Sequence, residues 1–358
     1  MKNITLLLLF TVLLACCSSD SETPMENTNP EAMYFPPNGS GTWDTKSPTA
    51  LNWNEGKLQE LYDYLEEKNT KGFIILVNGR IAAEKYFDSH TATSPWYWAS
   101  AGKTLTATVT GIAQAEGHLN INNKVSDYLS TGWTSAPLAK ENLITVRHLL
   151  TMTSGLDDTT GDDVSPSNLL YKADAGTRWG YHNVFVKLQD VVAEATGKTW
   201  TEYFISSLKN KIGMTGTWNT NSPDLSVYWS NTRSMARFGL LMLNEGKWDG
   251  QQVVDTAYWS AMTSTSQDIN KGYGYLWWIN GEESFHLPQS QLQFNGSLIL
   301  SGPSDMYMAL GKNDQKIYVI PGRNMVIVRM GEAADGENFA LSDFDATLWQ
   351  KINVVIEN

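Results

Sequence analysis

Ser100 and Lys103, in the run Trp98-Ala-Ser100-Ala-Gly-Lys103, place a hydroxyl and an amine at a spacing that can do nucleophilic chemistry. The run opens a predicted amphipathic helix in which Leu105, Val109 and Ile112 mark the buried face and Gly117 marks the stop. Residues three apart share a helix face, so the amine can reach the hydroxyl. A serine in the first turn also has backbone N–H groups beside it that lack intrahelical acceptors, together with the positive end of the helix dipole. These are the parts of an activated nucleophile with half an oxyanion hole.

The spacing alone is weak, because a chain with this Ser and Lys content contains roughly one or two S-x-x-K matches by chance. A second copy does occur. Ser206-Ser-Leu-Lys209 follows Trp200-Thr-Glu-Tyr-Phe-Ile205 and reads as mid-helix surface, where a hydroxyl meets no free N–H groups. His90, His118, His148, His182 and His286 show no H-E-x-x-H or comparable ligand spacing. They read as surface or structural residues, and no metal or other cofactor is expected. Gly302-Pro-Ser304-Asp-Met306 lacks the final glycine of a G-x-S-x-G elbow, and Ser154 reads as a turn after a helix. The aromatic clusters at 96–98, 228–229 and 277–278 read as core or sheet packing, with an acyl-pocket role open for some of them.

Elements able to position Ser100 come from both ends of the chain. A helix over Glu55 to Asn69 leads into two strands, Gly72 to Phe87, joined at Asn78-Gly79, a pair that tolerates the positive φ angles of a tight turn. Met306 to Leu310, Gln315 to Ile320 and Met325 to Met330 are further β-like runs, followed by a helix over Leu341 to Val355. Between them, residues 100 to about 270 read mostly as helices and turns, with helical segments Val184 to Thr196 and Ser234 to Asn244. The expectation is an α/β (α+β) fold: a five-stranded antiparallel sheet flanked by helices, built from about 49–117 and 271–358, with a mainly helical insertion over about 118–270.

Thr177-Arg-Trp-Gly-Tyr181-His-Asn183 carries the chain's only Y-x-N, in a loop ahead of a helix. With S-x-x-K before it, the sequence resembles the serine β-lactamase-like hydrolases, in the class C β-lactamase and penicillin-binding-protein-like esterase branch. Leu143 to Gly155, Arg237 to Gly250 and Gly272 to Trp278 look like further family landmarks, and the resemblance spans about Leu51 to Val355. It implies acyl transfer by Ser100, with Lys103 and Tyr181 sharing a proton as one titrating pair, since a free amine or phenol titrates near 10. Asn183 would orient Lys103 or the substrate.

The third family motif, Lys-Thr-Gly or His-x-Gly on a strand, has its best counterpart in Ala309-Leu310-Gly311. The glycine is kept, so backbone can approach substrate, and the N–H of Lys312 would be the second oxyanion donor. The cation is missing at Ala309, unless Lys312 or Arg323 supplies it. The resemblance therefore implies an ester, amide or β-lactam substrate, the alternatives being a cell-wall D-amino-acid peptidase or transpeptidase, or a non-catalytic ligand sensor on the same fold.

The ends and the charge agree with an exported enzyme. A formal net charge of −12 with no basic block argues against a nucleic-acid partner. Residues 1–15 read as a signal peptide, and Leu13-Leu14-Ala15-Cys16 resembles a bacterial lipobox, with Cys16 the lipidated residue. Residues 16–48 are expected to be a flexible tether and 49–358 the catalytic domain, held at a membrane in the periplasm or on the cell surface. Cys16 and Cys17 are the only cysteines, so no disulfide or thiolate metal site is expected in the body.

Overall fold

Asn78 and Gly79 have φ of 48° and 78°, so Thr70–Val77 (β1) and Arg80–Tyr86 (β2) close on a turn of the type that suits the twist of paired strands. The computed structural model describes residues 31–222, 225–335 and 342–357, and the signal peptide and Cys16 lie outside them. The C-terminal runs become Tyr307–Gly311 (β4), Gln315–Ile320 (β5) and Met325–Gly331 (β6), and Trp278–Ile279 (β3) joins them. The sheet is antiparallel, in the order β2-β1-β6-β5-β4-β3. It has six strands where five were expected. The addition, β3, pairs through only Trp278 and Ile279, too short a stretch for an alternating pattern to show.

Helices cover both faces, which explains why β4, β5 and β6 are buried at every position. Helix Thr232–Leu243 (α4) lies on the face of Ile317 and Val326, so close that Gly239 has no room for a Cβ. Successive strand residues point to opposite faces, so Tyr318 points the other way, where its ring meets Trp349 of the terminal helix Asp343–Ile356 (α5). Helix Glu55–Glu67 (α1) packs beside α5 through Tyr64 and Phe344.

Helix Lys103–Ala115 (α2) departs from the one-sided pattern expected of it, since every residue from Lys103 to Ala113 is buried. Its threonines make this tolerable. Thr104, Thr108 and Thr110 donate to the carbonyls of Ala101, Thr104 and Thr106, and Gln189 of helix Lys187–Thr196 (α3) donates to the Thr106 hydroxyl.

The mainly helical insertion also carries short strands: Leu225–Ser230 pairs with Thr217–Ser222 and with Trp96–Tyr97, which lies ahead of the insertion, and Lys247–Trp248 pairs with Gln251–Gln252. The tether does not reach residue 48. Trp43 is buried and donates its indole N–H to the Gly79 carbonyl at 2.7 Å, Thr45 bridges to Ile81, and Arg237 donates to the carbonyls of Pro36 and Pro37. Trp43, with Met33, Tyr34 and Phe35 packed against the core, holds residues 33–48 on the body.

A Cβ at Gly239 would lie 2.4 Å from Val326 Cγ1 and 3.2 Å from Ile317 Cγ2. Gly239→Ala is expected to cost about 1–3 kcal/mol by lifting α4 from the sheet. Urea denaturation of the purified protein checks this, and an unchanged midpoint would mean that α4 shifts freely.

Candidate active site

Trp98 anchors the arm that carries Ser100. It is fully buried, its indole N–H donates to Ser230 Oγ at 2.8 Å, its backbone N–H donates to the Tyr228 carbonyl at 2.9 Å, and its ring meets Tyr228 edge-on. The chain then turns sharply. Ala99 has φ of 48°, a left-handed conformation that costs a non-glycine residue about 1–2 kcal/mol. The 3-10 turn Ala99–Gly102 runs directly into α2, leaving Ser100 half-buried in the first turn.

Lys103 Nζ donates to Ser100 Oγ at 2.6 Å, so the helix-face argument holds in the structure. Lys103 is 6% exposed and its amine lies over two rings, 4.4 Å from the centroid of Phe185 and 4.8 Å from that of Tyr181. Tyr181 therefore belongs to the same cluster as Ser100 and Lys103. Its loop is fixed by the ion pair of Arg178 with buried Asp158 at 2.6 Å, packed so closely that a Cβ on Gly180 would fall 2.7 Å from Arg178 Nη1. The Tyr181 ring stacks on Trp278 at 5.9 Å and meets Tyr273 at 6.3 Å. Burial, and then the neighbouring Tyr181, push the Tyr273 hydroxyl well above the usual phenol range. Tyr273 therefore stays neutral.

The third motif also reaches the site. A Cβ at Gly311 would lie 2.4 Å from the Trp98 carbonyl oxygen and 2.9 Å from the Ala101 nitrogen, so the end of β4 presses directly on the Ser100 turn. Lys312, the next residue, is exposed. Ala309 is fully buried in the sheet opposite Ile317. Arg323 lies in the turn Pro321–Arg323, beyond the end of β5 remote from Gly311, and pairs with Glu357 at 2.6 Å. It cannot supply the missing charge, which leaves Lys312 as the candidate from that pair.

Asn183 has a backbone partner in the neighbouring loop. Its Nδ2 donates to the Asp162 carbonyl at 2.8 Å, binding the Tyr181 loop to the preceding one. His182 is buried, and burial holds its imidazole below the ordinary histidine range, in keeping with a structural role. Ser206 is exposed, its hydroxyl donating back to the carbonyls of Glu202 and Tyr203, and Ser154 Oγ accepts from the Leu156 N–H. Among the described residues, neither has a lysine bonded to it as Ser100 does.

Sequence reasoning missed Phe185 and Tyr273 at this site. It also missed the hydrogen bond from Asn313 Nδ2 to the Tyr97 hydroxyl at 2.6 Å, which joins segments 216 positions apart.

The fold is shared with solved structures. A Bacteroides dorei protein provisionally described as a β-lactamase superposes with a TM-score of 0.66 at 16% identity, covering 86% of this chain and 100% of that one. A Bacillus anthracis protein provisionally described as a 6-aminohexanoate-dimer hydrolase gives 0.65 at 18% identity, covering 82% and 81%. A penicillin-binding protein from Bacillus halodurans gives 0.60 at 16% identity, covering 82% and 98%. In sequence, an uncharacterized protein of Alkalihalophilus pseudofirmus is 24% identical over 294 residues, spanning 71% of this chain and 81% of its own length. The family model described as Beta-lactamase matches residues 63–348, most of the chain and every residue of the Ser100, Lys103, Tyr181 and Gly311 cluster, and the protein belongs to the beta-lactamase family.

Proposed function

We propose that the protein is a serine hydrolase that works through an acyl-enzyme on ester or amide substrates. The observation that carries this reading is the 2.6 Å contact of Lys103 Nζ with Ser100 Oγ at the start of a buried helix. With the amine neutral, the same contact runs from the serine hydroxyl to nitrogen, and Lys103 takes the proton as Oγ attacks the substrate carbonyl. Tyr181, beside the amine, shares that proton. The N–H groups of Ser100 and Lys312 hold the oxyanion. Collapse expels the alcohol or amine, which takes the proton from the Lys103 and Tyr181 pair, and water repeats the cycle to free the acid.

Substrate preference follows from the buried, apolar Ala309. Where relatives in this family offer a cation to a substrate carboxylate, this site offers a methyl group inside the sheet. Neutral esters are the favoured substrates on this reading. The chain is also proposed to be an exported lipoprotein anchored through Cys16.

A serine-directed phosphonate is expected to label Ser100. Ser100→Ala abolishes labelling and Ser206→Ala leaves it intact; label retained on the Ser100→Ala protein would move the nucleophile elsewhere, and an unlabelled wild type would favour a non-catalytic sensor. A short-chain aryl ester is expected to exceed a cephalosporin or a D-alanyl peptide in kcat/KM by roughly ten- to a hundredfold, the worth of one charge-assisted hydrogen bond of about 1.5–3 kcal/mol. Equal turnover that collapses in Lys312→Ala would show that Lys312 supplies the charge. Cys16→Ser is expected to move the protein out of the membrane fraction and remove lipid label, and unchanged fractionation with label retained would defeat the anchor.

A further inference from the structure

Asn313 and Asp314, the two residues after Lys312, have φ of 59° and 57°. Asn and Asp tolerate the left-handed region better than most residues, but two in succession persist only where the surroundings impose it. Here the surroundings do so. Arg329 of β6, with no exposed surface, donates Nη1 to the carbonyls of Asn313 and Asp314, both at 3.0 Å. Its remaining donors are spent on fixed groups: Nη2 on the carbonyls of Lys68 and Glu332, and Nε on Thr70 Oγ1. Gln315 Nε2 adds bonds to the Asn313 carbonyl at 2.8 Å and the Lys312 carbonyl at 3.4 Å.

These bonds fix the turn from inside the sheet. From outside, the 2.6 Å bond of Asn313 Nδ2 reaches Tyr97, three residues before Ser100 on the arm that Trp98 anchors. The amide oxygen of Asn313 is buried with no hydrogen bond among the described residues, so Nδ2 is the anchoring end of that side chain. Asn313 thus lies between two rigid bodies, gripped by Arg329 on its carbonyl and by Tyr97 on its side chain. Lys312 and Ser100 stand next to the two ends of this bridge.

We propose that Asn313 is a positioning residue, and that the chain Tyr97–Asn313–Arg329 sets the separation of the Ser100 and Lys312 N–H groups. This rests on the reading of those groups as the oxyanion donors. Because a small misplacement of a donor weakens its bond to the transition state more than substrate binding, the effect falls on kcat.

The test uses Tyr97→Phe, which keeps the ring, and Asn313→Gly, which removes the side chain without opposing the positive φ. For a neutral aryl ester, each is expected to lower kcat by about tenfold or more with KM changed by less than about twofold. Affinity for a boronic acid that adds to Ser100 and mimics the tetrahedral oxyanion falls by the same factor, and the double variant loses no more than the worse single one. Unchanged kcat and boronate affinity in both single variants would overturn the proposal. So would a kcat loss that follows a lowered Tm while boronate affinity holds. Phosphonate labelling of wild type keeps the two readings apart: no label on Ser100 sinks the hydrolase reading and this proposal with it, whereas full labelling with unmoved variants sinks only the bridge.

Discussion

Backbone rests on backbone where Gly311 meets the Ser100 turn, and the rest of the architecture serves that contact. Any side chain at 311 would strike the Trp98 carbonyl, which a Cβ would approach to 2.4 Å. Two rigid bodies are needed to keep such a contact in place. One is the sheet, assembled from both ends of the chain and covered on both faces. The other is the arm formed by Trp98 and α2, in which the indole is bonded to Ser230 and the helix is buried all round. Ala99 holds its unfavourable φ because the segments on either side of it are fixed, so releasing the strain would mean moving one of those two bodies.

The sheet end that meets Ser100 is unusually polar for a core. Arg329, Lys316, Asp314 and Asp345 are all 2% exposed or less, with Lys316 bonded to Asp345 at 2.7 Å and to Asp314 at 3.2 Å. Burying an ion costs several kcal/mol, so such a cluster is a poor way to gain stability. Its value is geometric. Asp314 accepts from the Ala334 N–H and the Ser342 hydroxyl, while Arg329 is matched to carbonyl oxygens and one hydroxyl. Burial lowers the guanidinium to about 10, which keeps it charged at neutral pH. An apolar core could fill this space, but it could not hold carbonyl groups in fixed directions.

What was legible in the sequence was local. Ser100 and Lys103 share a helical turn, Asn78-Gly79 forms its turn from its own φ angles, and continuous apolar runs marked β1, β5 and β6 closely. The features that escaped depend on partners distant in sequence. Nothing near Asn183 says that its amide binds the Asp162 carbonyl, and nothing near Asn313 points to Tyr97. Trp43 was hidden for a related reason, since one buried indole outweighs the polar composition of the residues around it. The all-round burial of α2 was masked by its threonines, which count as polar in a periodicity argument but satisfy their hydroxyls within the helix.

The neighbours of Lys103 bear on the role proposed for it. Lys103 is 6% exposed, so its side chain rests on protein groups more than on water. The ring faces of Phe185 and Tyr181, 4.4 and 4.8 Å away, offer an ammonium there cation–π contacts worth about 0.5–2 kcal/mol each. A carboxylate in their place would offer much more, and it would be left as an unpaired buried charge whenever the amine became neutral. Rings leave no such debt. On the proposed mechanism they would support the ammonium after it has taken the serine proton without trapping it in that form, which is what a group that must both accept and return a proton requires.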